Sequence, residues 1–134
     1  MIRLIDKAHD GRIAPWDYEL ICQFWRGRGS PPARELLPTL GVLCSKDACG
    51  FLYLDATGSG VAVMAWTATN PNSGVIERGR AMLAVIDFLE QEALALGYGA
   101  LMCSHQHPSF IRLFQRRGYA MGDTQLAHLF KSLN

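Results

Sequence analysis

A mixed α/β domain, with a mostly antiparallel central sheet, one parallel strand pair and flanking helices, is predicted by two neighbouring patterns in this 134-residue sequence. The first is an apolar run (Val61–Ala68), a turn (Thr69–Gly74), a long amphipathic stretch (about Glu77–Leu96) and a second apolar run (Ala100–Ser104). That order makes a strand–helix–strand crossover, which joins parallel strands. The second is a meander: Gly41–Ser45 and Gly50–Asp55 flank Lys46-Asp47-Ala48 as a hairpin, and Thr57-Gly58-Ser59-Gly60 turns the chain into Val61. The meander's last strand is the crossover's first, so the sheet is mixed.

Each element has its own local reason. Ile2 and Leu4, with Ile5, alternate as a first strand that the polar run Asp6–Gly11 ends. A helix follows, with Pro15 in its first turn, Asp17 and Glu19 near its positive end, and Trp16, Leu20, Ile21, Phe24 and Trp25 as the apolar stripe. Gly27–Pro38, with its Gly-Arg-Gly and double proline, reads as a loop excursion of a length that usually covers something. Around it fall Arg26, Arg28 and Arg34, which read either as a solvated basic surface or as an anion-binding loop.

In the long helix Met82, Ile86, Leu89, Ala93 and Leu96 recur at helical spacing, Val85 and Phe88 widen the stripe, and Gly97 is placed to cap the end. This stripe is core. A second, shorter helix (His107–Arg117) starts with Pro108 at its first position, buries Phe110, Leu113 and Phe114, and stops at Gly118. Tyr119–Met121 and Gln125–Leu129 are then expected as closing strands around Gly122-Asp123-Thr124, the last continuing toward Leu133.

The whole chain sets limits on function. Its length suits one domain, residues 1–134, with a core that needs neither disulfides nor metal. Thirteen Lys plus Arg against 12 Asp plus Glu give a formal charge of +1, too weak a field to indicate nucleic acid or an anionic membrane. No apolar run is long enough to span a bilayer. The first residues, MIRLIDKAHD, lack the apolar core and cleavage site of a secretory leader, so the expected location is the cytoplasm. Cys22, Cys44, Cys49 and Cys103 do not have zinc-site spacing and read as reduced thiols, with a Cys44–Cys49 bridge as the alternative.

Chemistry is concentrated at the start of the long helix. Arg78 and Arg80 place positive charge in a first turn whose dipole opposes it. A phosphate on the helix's free N–H groups, with Gly79 permitting close approach, reverses that penalty. The other reading is two surface arginines neutralised by Glu77 and solvent. His105 and His107 form an imidazole pair with no thiolate or acidic third ligand nearby, too little for a metal site.

The Arg-Gly-Arg-Ala turn opening the crossover helix, Leu-Gly-Tyr after it, and Leu-Phe-Gln-Arg-Arg-Gly-Tyr before the closing hairpin together resemble the GNAT superfamily of acyl-CoA-dependent N-acyltransferases. More narrowly, LPTLGVLC, GFLYL, VAVMAWTATNP, HPSF and GDTQLAHLFKSL resemble the small GNAT-like proteins of tailed bacteriophages. The superfamily resemblance implies acetyl-CoA as co-substrate and a small-molecule or protein amine as acceptor. Its pantetheine arm would pair with strand backbone at Trp66, Thr67 and Ala68, and its diphosphate would meet Arg78, Gly79, Arg80 and Ala81. The acceptor pocket would be built by the Gly27–Pro38 excursion and the hairpins.

Two positions depart from the superfamily pattern. The diphosphate turn, which usually runs Gln or Arg, two residues, Gly, one residue, Gly or Ala, falls on Gly74, Glu77 and Gly79, and only Gly79 matches. Glu77 there sets a carboxylate against a diphosphate, which Arg78 and Arg80 partly offset. The tyrosine that often protonates the leaving thiolate is matched by Phe114, which has no proton to give. His107, at the position of an Asn that often opens that helix, reads as a base, a helix cap or a loop residue. Glu77, Asp55, Asp123 and His128 are the other candidate bases. The resemblance therefore supports two expectations: an acyl-CoA N-acetyltransferase of reduced activity, or a non-catalytic GNAT-fold protein such as a phage virion component with other virion proteins as partners, located in host cytoplasm or virion.

Overall fold

Apolar residues at alternate positions build a five-stranded sheet in the order β1-β2-β3-β4-β5. Its strands are β1 (Ile2–Leu4), β2 (Leu40–Cys44), β3 (Ala48–Leu54), β4 (Val61–Thr69) and β5 (Ala100–Met102). The first three pairings are antiparallel, and β4 with β5 is parallel. Helices α1 (Pro15–Phe24), α2 (Val75–Ala95) and α3 (Pro108–Arg116) complete the fold, with a 3₁₀ turn at Arg34–Leu36. This computed structural model describes every residue except Gln106, Phe130, Ser132 and Asn134. The chain falls into two compact units, Met1–Cys103 and Ser104–Asn134.

In the first unit the two faces of the sheet are covered separately. Leu43, Cys49, Phe51 and Ala68 face α1 and form one buried core with Ile21 and Phe24 of that helix and with Ile5, Ile13 and Leu37. The intervening positions Val42, Leu52 and Met64 are buried on the other face, where α2 contributes Met82, Val85, Ile86 and Leu89. Gly50 in β3 lets α2 approach: a Cβ there would stand 2.7 Å from Val85 Cγ1 and 3.0 Å from Leu89 Cδ1. The far end of α2 stops as the sequence predicts. Gly97 adopts φ 92°, its N–H bonds to Leu94 O and Tyr98 N–H to Ala93 O, which satisfies two terminal carbonyls.

Some sequence expectations fail, each for a visible reason. The crossover helix begins at Val75, two residues before the predicted Glu77, because Gly74 serves as its N-cap. Leu4 and Trp16, expected inside, are 53% and 60% exposed. Trp16 gives its indole N–H to Asp6 Oδ2 at 3.0 Å, while Asp17 turns inward in its place. Leu96 lies at the helix end and is exposed. The Cys44–Cys49 bridge does not form: Cys44 pairs with Ala48 and Cys49 with Leu43, so successive pleats send the two thiols to opposite faces.

The second unit holds α3, with Phe114 as its buried helical residue. The expected closing strands Tyr119–Met121 and Gln125–Leu129 are absent among the described residues. No ladder pairs with them, residues 120–129 are exposed throughout, and Gln125 has φ 59°, so the half-buried alternation that sustains a strand is missing. The proposed extension toward Leu133 includes Phe130 and Ser132, which lie outside the described residues.

Asp17 is the buried charge on which the α1 side depends. Arg3 grips it with two bonds, Nη1 to Oδ2 at 2.9 Å and Nη2 to Oδ1 at 2.6 Å, and Asp6 N–H donates to Oδ2 at 2.8 Å. Burial pushes this carboxyl upward, but the Arg3 fork and the Asp6 amide outweigh it and leave it below the ordinary value.

The stabilisation from Asp17 is therefore complete above its unfolded pKa, about 3.9, and is lost as pH falls through the lower folded value. We expect Asp17→Asn to cost about 1.5–3 kcal/mol at neutral pH and to flatten the acid limb of stability against pH in urea unfolding. For Gly50→Ala we expect a loss of about 1–3 kcal/mol from forced repacking against Val85 and Leu89, read as a lower urea midpoint at unchanged slope.

Candidate functional site

The sequence places its candidate cofactor residues at the end of β4 and the start of α2, and both lie in the first unit. Along β4 the register with β3 runs Cys49↔Ala68 and then Phe51↔Ala65, so β4 carries one residue more than its partner at Trp66–Thr67. Trp66 absorbs it with φ 53°, a left-handed conformation that costs a non-glycine residue about 1–2 kcal/mol. On the other edge the parallel register Val61↔Ala100, Ala62↔Leu101, Val63↔Met102 ends there, while β4 runs on to Thr69. The superfamily resemblance implies a splayed β4–β5 pair; the observed pairing ends at Val63, and β4 runs on past it to the bulge at Trp66–Thr67.

The turn that follows is pinned to the β2–β3 hairpin. Asn70, 5% exposed, receives Asn72 N–H on Oδ1 at 3.0 Å and donates Nδ2 to Lys46 O at 2.8 Å. Its own N–H bonds to Asp47 O, and Ser73 Oγ donates to Asp47 Oδ1 at 2.5 Å. These bonds fix where α2 starts. Arg28, from the Gly27–Pro38 excursion, reaches the same end of β4 and donates Nη2 to Thr69 Oγ1 at 3.3 Å. The sequence marked Arg28 as one of three loop cations; only the fold brings it to β4. Arg34 instead ties the excursion down, through Nε to Ile13 O at 2.7 Å.

Starting α2 at Val75 changes which amides can meet an anion. Arg78 N–H already bonds to Gly74 O at 2.9 Å, so Arg78, Gly79, Arg80 and Ala81 belong to the helical ladder. The N–H groups ahead of that first bond are those of Val75, Ile76 and Glu77, and no side chain caps the helix. A phosphate would therefore meet these three amides, which the sequence reading did not single out. The N-cap at Gly74 after Asn-Pro-Asn-Ser was the available signal. Arg78, Gly79 and Arg80 retain only a side-chain or close-approach part. A Cβ at Gly79 would meet nothing within 4 Å.

Glu77 does not neutralise those arginines: among the described residues neither forms an ion pair with it. Its carboxylate folds back over the N-cap, with Oε2 2.1 Å from where a Cβ on Gly74 would stand. An anion at this end is favoured by the helix dipole, and the carboxylate supplies one from within the chain. The residues present fit a diphosphate in their amides, their cations and the open space at Gly79, with Glu77 as the competing anion.

The remaining candidates have structural employment. His107, in the second unit, caps α3, with Nδ1 3.2 Å from Ser109 N and 2.6 Å from Ser109 Oγ. Phe114 stacks on His105 at 4.6 Å between centroids and meets Tyr119 edge-on at 4.9 Å, so it is the core aromatic of this unit. Burial lowers His105 to about 4, which keeps its ring neutral against Phe110 and Phe114. Asp55 accepts from Thr57 N, Thr57 Oγ1 and Ser59 N, and the Ser59 and Thr57 side chains, with these amides, hold it well below the usual carboxylate range, as befits a turn residue. Asp123 and His128 are exposed. No metal-ligating cluster occurs among the described residues, and no helix there is long and apolar enough to cross a membrane.

No protein-family model matches the chain, and comparison with curated proteins finds no match. Solved structures do match. An acetyltransferase of Trypanosoma brucei superposes with a TM-score of 0.64 at 11% identity, covering 97% of this chain and 99% of that one. Glucosamine-6-phosphate N-acetyltransferase of Arabidopsis thaliana gives 0.63 at 7% identity, over 98% and 99% of the two chains. An aminoglycoside acetyltransferase from an uncultured soil sample, solved with sisomicin, gives 0.61 at 14% identity, over 100% and 96%. At such identities the likeness concerns architecture, and with the mixed sheet and its parallel β4–β5 pair it establishes a GNAT-like fold.

Proposed function

We propose that this chain is a GNAT-like N-acetyltransferase that takes acetyl-CoA as acyl donor and a primary amine as acceptor. The observation that carries the reading is the bulge at Trp66. A bulky residue held at positive φ persists only where its surroundings impose it, and such strain gathers at ligand sites. Here it lies beyond the last β4–β5 pairing, on the strand that leads into the uncapped start of α2.

In this reading the backbone of Trp66, Thr67 and Ala68 holds the pantetheine arm. The Val75–Glu77 amides with Arg78 and Arg80 hold the diphosphate, beside the open space at Gly79. The donor supplies an acyl carbon activated as a thioester: the amine nitrogen bonds to it, the C–S bond breaks, and the amine's proton leaves with the thiolate. The chain contributes by aligning the two reactants, an effect that alone can account for a large part of the barrier lowering. Reduced activity follows from Glu77, whose carboxylate competes with the diphosphate.

Glu77 favours a second reading, a non-catalytic protein on the same framework, because its carboxylate stands at the helix end that a diphosphate needs. The two readings differ in one measurable respect. If the transferase reading holds, calorimetry gives saturable binding of acetyl-CoA, and at a hundred times its Kd the ligand adds about 2.7 kcal/mol of stability, seen as a rise of several degrees in Tm. No heat and no Tm change at millimolar acetyl-CoA would leave the non-catalytic reading.

A charge change sharpens the comparison. Glu77→Gln removes the competing anion while keeping its size, and should tighten acetyl-CoA binding about two- to fivefold, the equivalent of a helix-end charge interaction. An unchanged Kd would mean that the diphosphate does not lie at this end of α2.

A further inference from the structure

Shortly after α1 the chain turns through Gly27, Arg28 and Gly29. The two glycines stand at φ 78° and 104°, in the left-handed region open to glycine, and Arg28 N–H bonds to Trp25 O at 2.9 Å. From this turn the Arg28 side chain crosses to the last residue of β4, where Nη2 donates to Thr69 Oγ1 at 3.3 Å. Its charge is felt in the core. Burial pushes the thiol of Cys49 up, and a backbone bond at Ala68 and the charge of Arg28 act against that rise. An exposed loop cation is thus held at the end of the sheet.

Arg28 has no acid to match it. Among the described residues it forms no ion pair, whereas Arg3, Arg12 and Arg34 each do. Its bond to Thr69 goes to a neutral hydroxyl and leaves most of the guanidinium fork unused. One such fork matches the single charge and planar shape of a carboxylate, which it grips with two parallel bonds. A diphosphate at the start of α2 would have its own partners in the Val75–Glu77 amides, Arg78 and Arg80. Arg28 instead marks the strand just past the bulge: Thr69 follows Thr67 by two residues, about 7 Å along extended backbone. An amine at the bulge with a carboxylate on a chain of that length would bring the carboxylate to Arg28.

Resting on the acetyltransferase reading, we propose that the acceptor is an amine that also carries a carboxylate, its nitrogen at the β4 bulge and its carboxylate on the Arg28 guanidinium. Transfer acylates that nitrogen as the thioester C–S bond breaks, with one amine proton leaving with the thiolate. Arg28 is then a specificity residue, which sets the acceptor's KM, and the turns at Gly27 and Gly29 aim it.

The test compares ε-aminocaproate with its neutral amide, ε-aminocaproamide, two primary amines of equal length that differ in the acid, by calorimetry on the intact protein, with acetyl-CoA titrated in a separate experiment. The acid is expected to bind about fivefold more tightly, the upper range for an exposed ion pair. Arg28→Gln should abolish that preference, Arg28→Lys should retain most of it, and Arg26→Gln, a change of the same charge two residues away, should leave it intact. Because the preference is a ratio within each variant, it is read independently of how much of that variant is folded. If acetyl-CoA binds and the two amines bind alike, or neither binds, the proposal fails while the transferase reading survives. If the acid is preferred but acetyl-CoA does not bind, the transferase reading fails and the amine's role as acceptor fails with it. A preference that survives Arg28→Gln, or that Arg26→Gln removes equally, overturns the assignment to Arg28. So does an Arg28→Gln variant that loses acetyl-CoA affinity and keeps its amine preference, since the guanidinium then serves the donor.

Discussion

One extra residue in β4, set against Gly50 of β3, governs the geometry of the first unit. Because side chains alternate with a period of two, an inserted residue shifts the phase of everything beyond it. Ala65, paired with Phe51, and Ala68, paired with Cys49, both face α1 although three positions separate them. The inserted residue is also where the sheet stops being a complete ladder, since the parallel pairing with β5 has ended at Val63. Gly50 serves the other face at the same level by leaving room for Val85 and Leu89, so α2 can pack close and its first turn follows directly from the end of β4.

Charges around the start of α2 oppose one another. Glu77, in the first turn, sits with the dipole and is worth about 0.3–1 kcal/mol at an exposed helix end, while Arg78 and Arg80 stand farther along the ladder, where the dipole's effect falls off. Arg28, brought to Thr69 from a distant loop, adds a further cation near the end of β4. Three arginines and uncapped amides favour an anionic guest, while a carboxylate folded over Gly74 opposes it. The balance is close enough that a single substitution at Glu77 should move it measurably. On the proposed reading, this turn makes a weak cofactor site.

The fold was largely legible in the sequence because the residues that set it act locally. Turn chemistry at Lys46-Asp47 and Thr57–Gly60 placed the meander, the periodicity from Met82 to Ala93 placed α2, and Gly97 marked its end. What escaped depended on contacts distant in the chain. Asp17 reads as a helix-dipole residue until Arg3 is seen to reach it from β1. Tyr119–Leu129 alternates well enough to suggest strands, but a strand also needs a partner edge, and no pattern within the segment supplies one. Of the candidate site the sequence shows the residues but not where the helix starts: with Gly74 as N-cap, the amides of Val75–Glu77 lie ahead of the ladder, and those of Gly79–Ala81, which the sequence reading offered to an anion, lie within it. His107 was left with three roles, and a hydrogen bond to Ser109 selects capping.

The central claim is that acetyl-CoA lies along the bulged end of β4 with its diphosphate on the first amides of α2. Amide chemical-shift mapping of the isotopically labelled protein, titrated with acetyl-CoA, tests it most directly. The account predicts the largest saturable shifts at the backbone N–H groups of Trp66–Ala68 and Val75–Glu77, with little change at the far end of α2. Shifts confined to other parts of the chain, or none at saturating ligand, would contradict it.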